Sequence, residues 1–220
     1  MVFYSISGYG LKSKTFARCK IKKANMTQTE RFHKCLDEFQ KMCEESPHII
    51  LKTIRMRLSS IKHFMSELPN LKIIHLVRDP RATLISQSKL GMCKEAKGGI
   101  YGCTDKVCSQ IENDLIEEEK IREEYPDRIF TVFYNQIARH PVKMASQLMS
   151  FIGAEFTDNA QSYVFNITSA GRNDTCIICT TRSNSTEHIE HWKKTMPRSF
   201  IDIVQSRCNF LLRRYEFEIV

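Results

Sequence analysis

Two polar side chains in one short segment have the types and spacing to hold an anion. In LKIIHLVRDPRATLIS, Arg78 directly follows an apolar run and Ser86 lies eight residues further on. A guanidinium presents a planar fork of donors that matches phosphate oxygens, and a hydroxyl adds another donor. The pair therefore indicates phosphate binding, with Arg81 able to serve either the ligand or solvent. The alternative is an ordinary Asp-Pro helix start, with Arg78 paired to a surface carboxylate.

A strand followed by a helix must position this pair. The run NLKIIHLV is near-continuously apolar, which is typical of a parallel strand buried on both faces. Asp79 is expected as the N-cap of the helix and Pro80 as its first residue. Ligands of open α/β sheets bind beyond the carboxyl ends of the strands, where Arg78 is expected. Because Asp79 already caps the first amides, side chains must hold the anion.

Strand and helix patterns alternate along the rest of the chain, which predicts an α/β domain with a mainly parallel sheet. Two further strands are expected, at Ile49–Leu51 and in RIFTVFY. Helices are expected at 29–43, from an N-cap at Ser59 or Ser60, at 107–124, from Pro141 to Gly153, and in two final segments separated at Pro197. Loops are expected at 91–106 and 166–185.

The cysteines indicate an oxidising compartment. The chain has 220 residues and nine cysteines, so disulfides are expected and at least one thiol stays outside an intrachain pair. Structural zinc at Cys176 and Cys179 is the alternative, but no second C-x-x-C follows at zinc-finger spacing, and no metal is expected. Four N-x-[ST] sequons add weight to a secretory location; they begin at Asn25, Asn166, Asn173 and Asn184.

The basic charge narrows the class of partner. A net charge of +8 favours anionic partners such as nucleotides or acidic glycans, although a solvated basic face gives the same balance. A nucleic-acid-binding module is disfavoured, because the aromatic residues fall mostly at core periodicities. A P-loop kinase is disfavoured, because no Walker A sequence is present. The first ten residues are too short and polar for a signal peptide, so a lumenal protein would need a targeting segment that this chain lacks.

The segment around Arg78 closely resembles the 3′-phosphate-binding segment of sulfotransferases that use PAPS (3′-phosphoadenosine 5′-phosphosulfate). The match is to the Golgi carbohydrate 6-O-sulfotransferases acting on galactose, N-acetylglucosamine and N-acetylgalactosamine. Three further segments, LKTIRMRL, YPDRIFTVFYNQIARHP and TTRSNSTEHIEHWKKTMP, are similar to the same family in the same order. The resemblance implies that Arg78 and Ser86 bind the cofactor, and we extend this expectation to Arg81.

The resemblance also implies a fold, a reaction and a location. The fold is three-layered α/β of the P-loop-like sulfotransferase type, with residues 46–220 as the sulfotransferase domain and 1–45 as a partly helical N-terminal segment. The reaction is transfer of a sulfuryl group from PAPS to the 6-hydroxyl of a sugar in a glycan or glycoprotein, without nucleic acid and without metal. The location is the Golgi lumen, with membrane attachment only through an anchor absent from this chain.

Two departures from the family pattern bear on activity. Asn135 and Gln136 stand where the family usually has Glu-Asp, so no acid–base role is assigned to them. The loop that cradles the 5′-phosphosulfate normally lies much further upstream than the 77 residues before Arg78 allow. The expectation is that this loop and the first strand are absent, which leaves a catalytically inactive fragment or short isoform as the alternative function. The rival loop candidate is SISGYGLKSKT, with Gly8, Gly10, Lys12 and Ser13.

The catalytic base is unknown from the sequence. His75 has suitable chemistry, but its position inside a strand favours a structural role. Arg55 and Arg182 are able to meet an anionic cofactor or glycan, and equally to be plain surface arginines.

Overall fold

The computed structural model describes residues 2–4, 6–7, 10–11, 19, 25–54, 56–94, 96–168 and 184–220, the first three ranges as backbone only. They fall into two compact units, Met1–Met56 and Arg57–Val220, and the predicted domain boundary after residue 45 stays a prediction. The strands in the described ranges are β1 (Val2–Tyr4), β2 (Ile6–Ser7), β3 (Gly10–Leu11), β4 (Ile49–Leu51), β5 (Ile73–Val77) and β6 (Ile129–Phe133).

The α-helices contain more residues in total than the strands, and short 3₁₀ turns lie at Pro126–Arg128 and Ser185–His188. In the described part of the chain, no helix combines the length and the apolar character that a membrane crossing requires. The helices are α1 (Gln28–Glu44), α2 (Leu58–Met65), α3 (Pro80–Lys89), α4 (Gly99–Glu124), α5 (Tyr134–Arg139), α6 (Pro141–Ile152), α7 (Asp158–Thr168), α8 (His191–Thr195), α9 (Arg198–Arg207) and α10 (Asn209–Arg214).

The first unit contains β1–β4 and α1. Strand β1 pairs in parallel with β4, and β2 pairs antiparallel with β3. Helix α1 begins with a capping box, in which the Thr27 hydroxyl accepts from the Glu30 amide and the Glu30 carboxylate accepts from Thr27. Its buried residues Cys35 and Phe39 form a small core with Cys19, to which Cys35 is bonded through a disulfide.

The second unit contains the parallel pair β5–β6, in register from Ile73 opposite Ile129 to Val77 opposite Phe133. Helices α3 and α4 form the connection between these strands. Parallel strands joined through helices confirm the predicted α/β class.

Strand β5 is covered on one face only, so the expectation of burial on both faces is wrong. Ile73 packs with Ile121 and Ile129 in a core under α2 and α4. Successive side chains of a strand alternate between faces, and Ile74 and Leu76 on the other face are 43% and 54% exposed. The run is therefore apolar on both faces, although the described residues cover only one of them.

Two helix starts confirm the sequence prediction. The Asp79 side chain caps α3 by accepting from the Arg81 amide, and Pro80 is the first helical residue. Pro141 opens α6, and Gly153 ends it with φ of 75°, a left-handed conformation that favours glycine.

The predicted N-cap at Ser59 or Ser60 is wrong, because α2 begins at Leu58 after Arg57. The cap comes from a distant residue: the Asp114 carboxylate on α4 accepts from the Leu58 amide at 3.0 Å and from the Arg57 guanidinium at 2.8 Å. The sequence around α2 does not predict this cap, because the capping residue belongs to another helix.

The predicted loop at 91–106 is helical in its second half, because α4 already begins at Gly99. A disulfide joins Cys93 to Cys103, and Cys103 and Thr104 are buried in the second unit's core. Burial of Cys103 and Thr104, just after the first turn, and the disulfide outweigh the helix-breaking tendency of the glycines. Residues 169–183 of the other predicted loop lie outside the described residues, and 166–168 belong to α7.

The main core of the second unit lies between the sheet-connecting helices and the C-terminal helices. Leu84 of α3 and Leu115 of α4 pack there against Trp192, Val204 and Leu211. The final predicted helix is interrupted at Cys208, which separates α9 from α10.

The predicted disulfides are confirmed among the described residues: Cys19–Cys35, Cys93–Cys103 and Cys108–Cys208. The last spans 100 residues and ties α4 to the end of α9. In the chain-entropy model, a bridge that closes a longer loop removes more freedom from the unfolded chain.

We therefore predict that Cys108→Ala/Cys208→Ala lowers the free energy of unfolding by about 2–5 kcal/mol, measured by urea titration without reductant. The control is Cys93→Ala/Cys103→Ala, whose loop spans 10 residues. Loop entropy alone makes its loss roughly 2 kcal/mol smaller. An equal or larger loss in the control would contradict the entropic account.

Candidate functional site

The carboxyl ends of β5 and β6 bring an arginine and a tyrosine together. Val77 is opposite Phe133 in the parallel register, so the next residues, Arg78 and Tyr134, leave the sheet at the same edge. The Arg78 guanidinium carbon lies 4.5 Å from the centroid of the Tyr134 ring. A cation over an aromatic face is attracted by the ring quadrupole, so Tyr134 supports the guanidinium and orients it.

The next residue fixes where α3 begins. Asp79 is buried, and its carboxylate accepts from the Arg81 amide at 2.8 Å. The same carboxylate accepts from Nε of Arg81 at 3.0 Å and from Nη2 at 2.8 Å. The first turn of α3 is therefore closed by a buried ion pair between residues two positions apart.

Arg81 is 1% exposed and connects this turn to distant parts of the chain. Its Nη1 donates to the Gln205 side chain at 3.0 Å and to the Glu218 carbonyl at 2.7 Å. Its guanidinium carbon also lies 4.1 Å from the centroid of the Trp192 ring. Arg81 therefore does not face solvent, which was one of the two roles that the sequence left open for it.

Ser86 is exposed in the second turn of α3. Arg78, at the carboxyl end of β5, is the cation of the predicted site, and Ser86 is its hydroxyl. This donor set fits a phosphate, and the capped amides of α3 leave its recognition to these side chains. Cofactor binding by Arg78, Ser86 and Arg81 stays a prediction.

His75 is held in a buried network on the covered face of β5. Its Nδ1 lies 2.6 Å from Oε2 of Glu118, a buried residue of α4. Oε1 of Glu118 accepts from Nη2 of Arg122 at 2.7 Å and from the Thr131 hydroxyl. Burial raises the pKa of Glu118, but the hydrogen bonds from His75, Thr131 and Arg122 outweigh it and bring the pKa to about 2. The arrangement favours the structural interpretation of His75.

A second feature is a cleft of about 620 Å³ beside α5, the helix that starts at Tyr134. The side chains that line the cleft include both acidic and basic groups. One of the acidic groups, the Glu190 carboxylate, is paired with Lys193. Burial, with Lys89, His188 and Lys194 nearby, lowers the pKa of His191. The cleft is lined by Arg139, Thr186, Glu187, Ile189, Glu190, His191 and Lys194.

Several residues raised by the sequence lie outside the described part of the chain: Arg55, Arg182, Cys176, Cys179, Gly8, Lys12 and Ser13. Gly10 is described only as backbone of β3. Over the described residues, no cluster of His, Cys, Asp or Glu has the arrangement of a metal site.

Sequence reasoning missed Tyr134, Glu118 and Gln205. A signal for Tyr134 was present, because an aromatic residue directly follows a strand expected to be parallel to β5. No signal was present for the others, since Glu118 lies 43 residues from His75 and Gln205 lies 124 residues from Arg81.

Comparison with known proteins gives a consistent family. Residues 11–158 match the model of the Sulfotransferase family. Carbohydrate sulfotransferase 3 from Mus musculus is 27% identical over 198 residues, which cover 80% of this chain and 40% of that protein. Carbohydrate sulfotransferase 5 from Mus musculus is 27% identical, with 79% and 49% covered. The chain therefore spans two fifths to one half of the length of these relatives.

Solved structures agree at the level of fold. The sulfotransferase domain from the curacin biosynthetic pathway superposes with a TM-score of 0.63 at 15% identity, covering 93% of this chain and 79% of that chain. Mouse sulfotransferase SULT7A1, complexed with PAP, gives 0.50 at 13% identity, with 82% and 71% covered.

The buried network around Glu118 predicts how the stability of the fold depends on pH. Because the folded pKa of Glu118 lies below its ordinary value of 4.5, its ionised form stabilises the fold above that pH. The contribution, about 3 kcal/mol, is lost as the pH falls from about 4.5 toward 2. Urea titrations should show the stability gap between wild type and Glu118→Gln shrinking across this window. The exposed Glu123→Gln on α4 controls for loss of one charge. A gap independent of pH would rule out the shifted pKa.

Proposed function

Because the chain belongs to the sulfotransferase family, we propose that it is a carbohydrate sulfotransferase that uses PAPS as donor. The observation that carries the proposal is Arg78 at the carboxyl end of β5, stacked on Tyr134, with the exposed Ser86 following in α3. The names of the relatives support a carbohydrate as acceptor. The resemblance of the motifs extends the proposal to the 6-hydroxyl of a sugar of the N-acetylglucosamine or galactose class.

The side chains of this segment bind the cofactor and do no bond-making. In the proposal, the guanidinium of Arg78 takes the 3′-phosphate through paired N–H donors, and Tyr134 limits its rotation. Ser86 donates one hydroxyl hydrogen to the same phosphate. A positive charge held in a fixed direction positions the donor, which matters because displacement needs the reacting atoms aligned.

The proposed reaction is an in-line displacement at sulfur. The sugar oxygen forms a bond to sulfur, the bond from sulfur to the 5′-phosphate oxygen breaks, and the hydroxyl proton passes to a base. His75 is a poor choice for this base, because it lies in the middle of β5 on the face covered by α4, before the strand end that carries Arg78. No residue of the described chain is assigned to the role.

We propose the Golgi lumen as the location. The three disulfides of the described residues support an oxidising compartment. Asn25 and Asn184 are exposed sequon positions, and Asn184 lies beside the 3₁₀ turn Ser185–His188. Imaging of the tagged protein against a Golgi marker tests the location.

We predict that Arg78→Ala weakens binding of PAP, the desulfated 3′-phosphoadenosine 5′-phosphate, by about 1.5–3 kcal/mol, or roughly ten- to hundredfold. The loss follows from removal of a charge-assisted hydrogen-bond donor. Ser86→Ala should have a smaller effect, because a neutral hydroxyl is a weaker partner for an anion. Calorimetric titration with PAP measures both.

Arg213→Ala is the matched control, since Arg213 is an exposed arginine whose side chain donates a hydrogen bond to Asn209 within the same helix. It removes the same charge without touching the segment. Equal affinities of wild type and Arg78→Ala, or an equal loss in Arg213→Ala, would remove Arg78 from the site.

The reaction is tested by transfer of labelled sulfate from PAPS to oligosaccharides that end in N-acetylglucosamine or galactose. We predict little or no turnover by the chain alone, because the loop for the 5′-phosphosulfate is not recognisable in its sequence, and loss of one preorganised donor already costs roughly 10²–10³ in rate. A version extended upstream to include such a loop should transfer sulfate at the 6-position.

Robust turnover by the chain alone would contradict this prediction and would favour the rival loop candidate with Gly8, Gly10 and Lys12. PAP binding without transfer in either version would favour the inactive-fragment alternative.

A further inference from the structure

Arg81 is the most deeply buried charged side chain of the described residues, and it lies three positions from Arg78. All three nitrogens of its guanidinium donate to protein acceptors: Nε and Nη2 to Asp79, and Nη1 to Gln205 and Glu218. One face of the group lies on Trp192. A guanidinium used in this way has little capacity left for a phosphate.

The acceptors of Arg81 belong to two separate parts of the chain. Asp79 is the neighbour of Arg78 and caps α3, whereas the Glu218 carbonyl belongs to the C-terminal tail after α10. Arg81 therefore links the start of the cofactor segment to the tail through a single rigid, planar group.

Gln205 completes this link. Its Oε1 accepts from Arg81 at 3.0 Å and from the Val220 amide at 2.9 Å, and its Nε2 donates to the Val220 main-chain oxygen at 2.8 Å. One amide side chain thus binds both the guanidinium and the tail. Two other side chains bind the exposed side of the tail. Lys193 donates to the Glu218 carboxylate, and Arg198 donates to the Val220 main-chain oxygen.

We propose that Arg81 is a positioning residue that acts through Asp79 on Arg78, and that Gln205 and the C-terminal tail hold it in place. The inference rests on the proposed function in one respect, because it takes the 3′-phosphate as the ligand of Arg78. In this proposal Arg81 does not contact the cofactor, and so it is not the cofactor ligand that was expected from the sequence. Its role is to fix the first turn of α3, so that the Arg78 guanidinium leaves β5 in one direction.

The first measurement needs no ligand. Hydrogen exchange is followed in the amides of residues 81–84 at the start of α3, in wild type and in Gln205→Ala. We expect exchange about tenfold faster in the variant, because Arg81 loses an acceptor and the tail loses its anchor. Ser206→Ala is the matched control, since Ser206 is the exposed neighbour of Gln205 on α9 and makes no hydrogen bond to Arg81 or to the tail among the described residues, and it should leave these amides unchanged. Unchanged exchange in Gln205→Ala would overturn the coupling.

The second measurement separates positioning from direct contact. Arg81→Lys keeps the charge beside Asp79 but loses the fork that reaches Gln205 and Glu218. We expect it to weaken PAP binding about tenfold in the wild-type background and less than twofold in the Arg78→Ala background, because its effect passes through Arg78. The same factor in both backgrounds would mean that Arg81 is a direct ligand, and would overturn the proposal.

The test also covers a variant that does not fold and a wild type that binds no PAP. Where Arg81→Lys does not fold, Gln205→Ala is titrated with PAP in both backgrounds and is read by the same criterion. Where wild type itself binds no PAP, the proposed function fails, and the exchange experiment alone decides the coupling between the tail and α3.

Discussion

The first turn of α3 and the C-terminal tail of the second unit both depend on the buried ion pair between Arg81 and Asp79. Moving two charges out of water is costly, and their attraction compensates only when every remaining donor and acceptor is satisfied. Gln205 and the Glu218 carbonyl complete that set, and Trp192 covers the guanidinium face. Loss of one partner would leave an uncompensated buried charge, which typically costs 3–5 kcal/mol. The capping of α3 and the course of the C-terminal tail follow from this pair.

The sheet and the ion pair together determine what the candidate site is able to do. Parallel register brings Arg78 and Tyr134 to one edge, and the closed first turn of α3 fixes where the arginine side chain begins. The covered face of β5 is secured independently by Glu118. In the proposed site the binding residues and the supporting residues are thus separate groups. The proposed binding group is small, one cation and one hydroxyl, and Tyr134 belongs to the supporting group.

Local sequence patterns predicted the strand β5, the Asp79 cap and the start of α6 at Pro141, because each depends on neighbouring residues. They did not predict the start of α2, whose cap comes from Asp114. They also did not predict the burial of Arg81, because its partners Gln205 and Glu218 lie more than a hundred residues away. The α/β class followed from alternation of patterns. The identity of the candidate ligand came from a resemblance, since spacing alone does not decide between a phosphate site and a surface ion pair.

The register of β5 against β6 has a consequence for how this sequence is able to diverge. Side chains alternate along a strand, so one residue inserted or deleted between Ile73 and His75 exchanges the two faces of the rest of β5. His75 would then leave Glu118, and the arginine would emerge on the opposite side of its ring partner. Exchanges among aliphatic residues at Ile74 or Leu76 carry no such cost, because these side chains are half exposed. Evolution is therefore expected to tolerate replacement within this strand and to reject changes in its length.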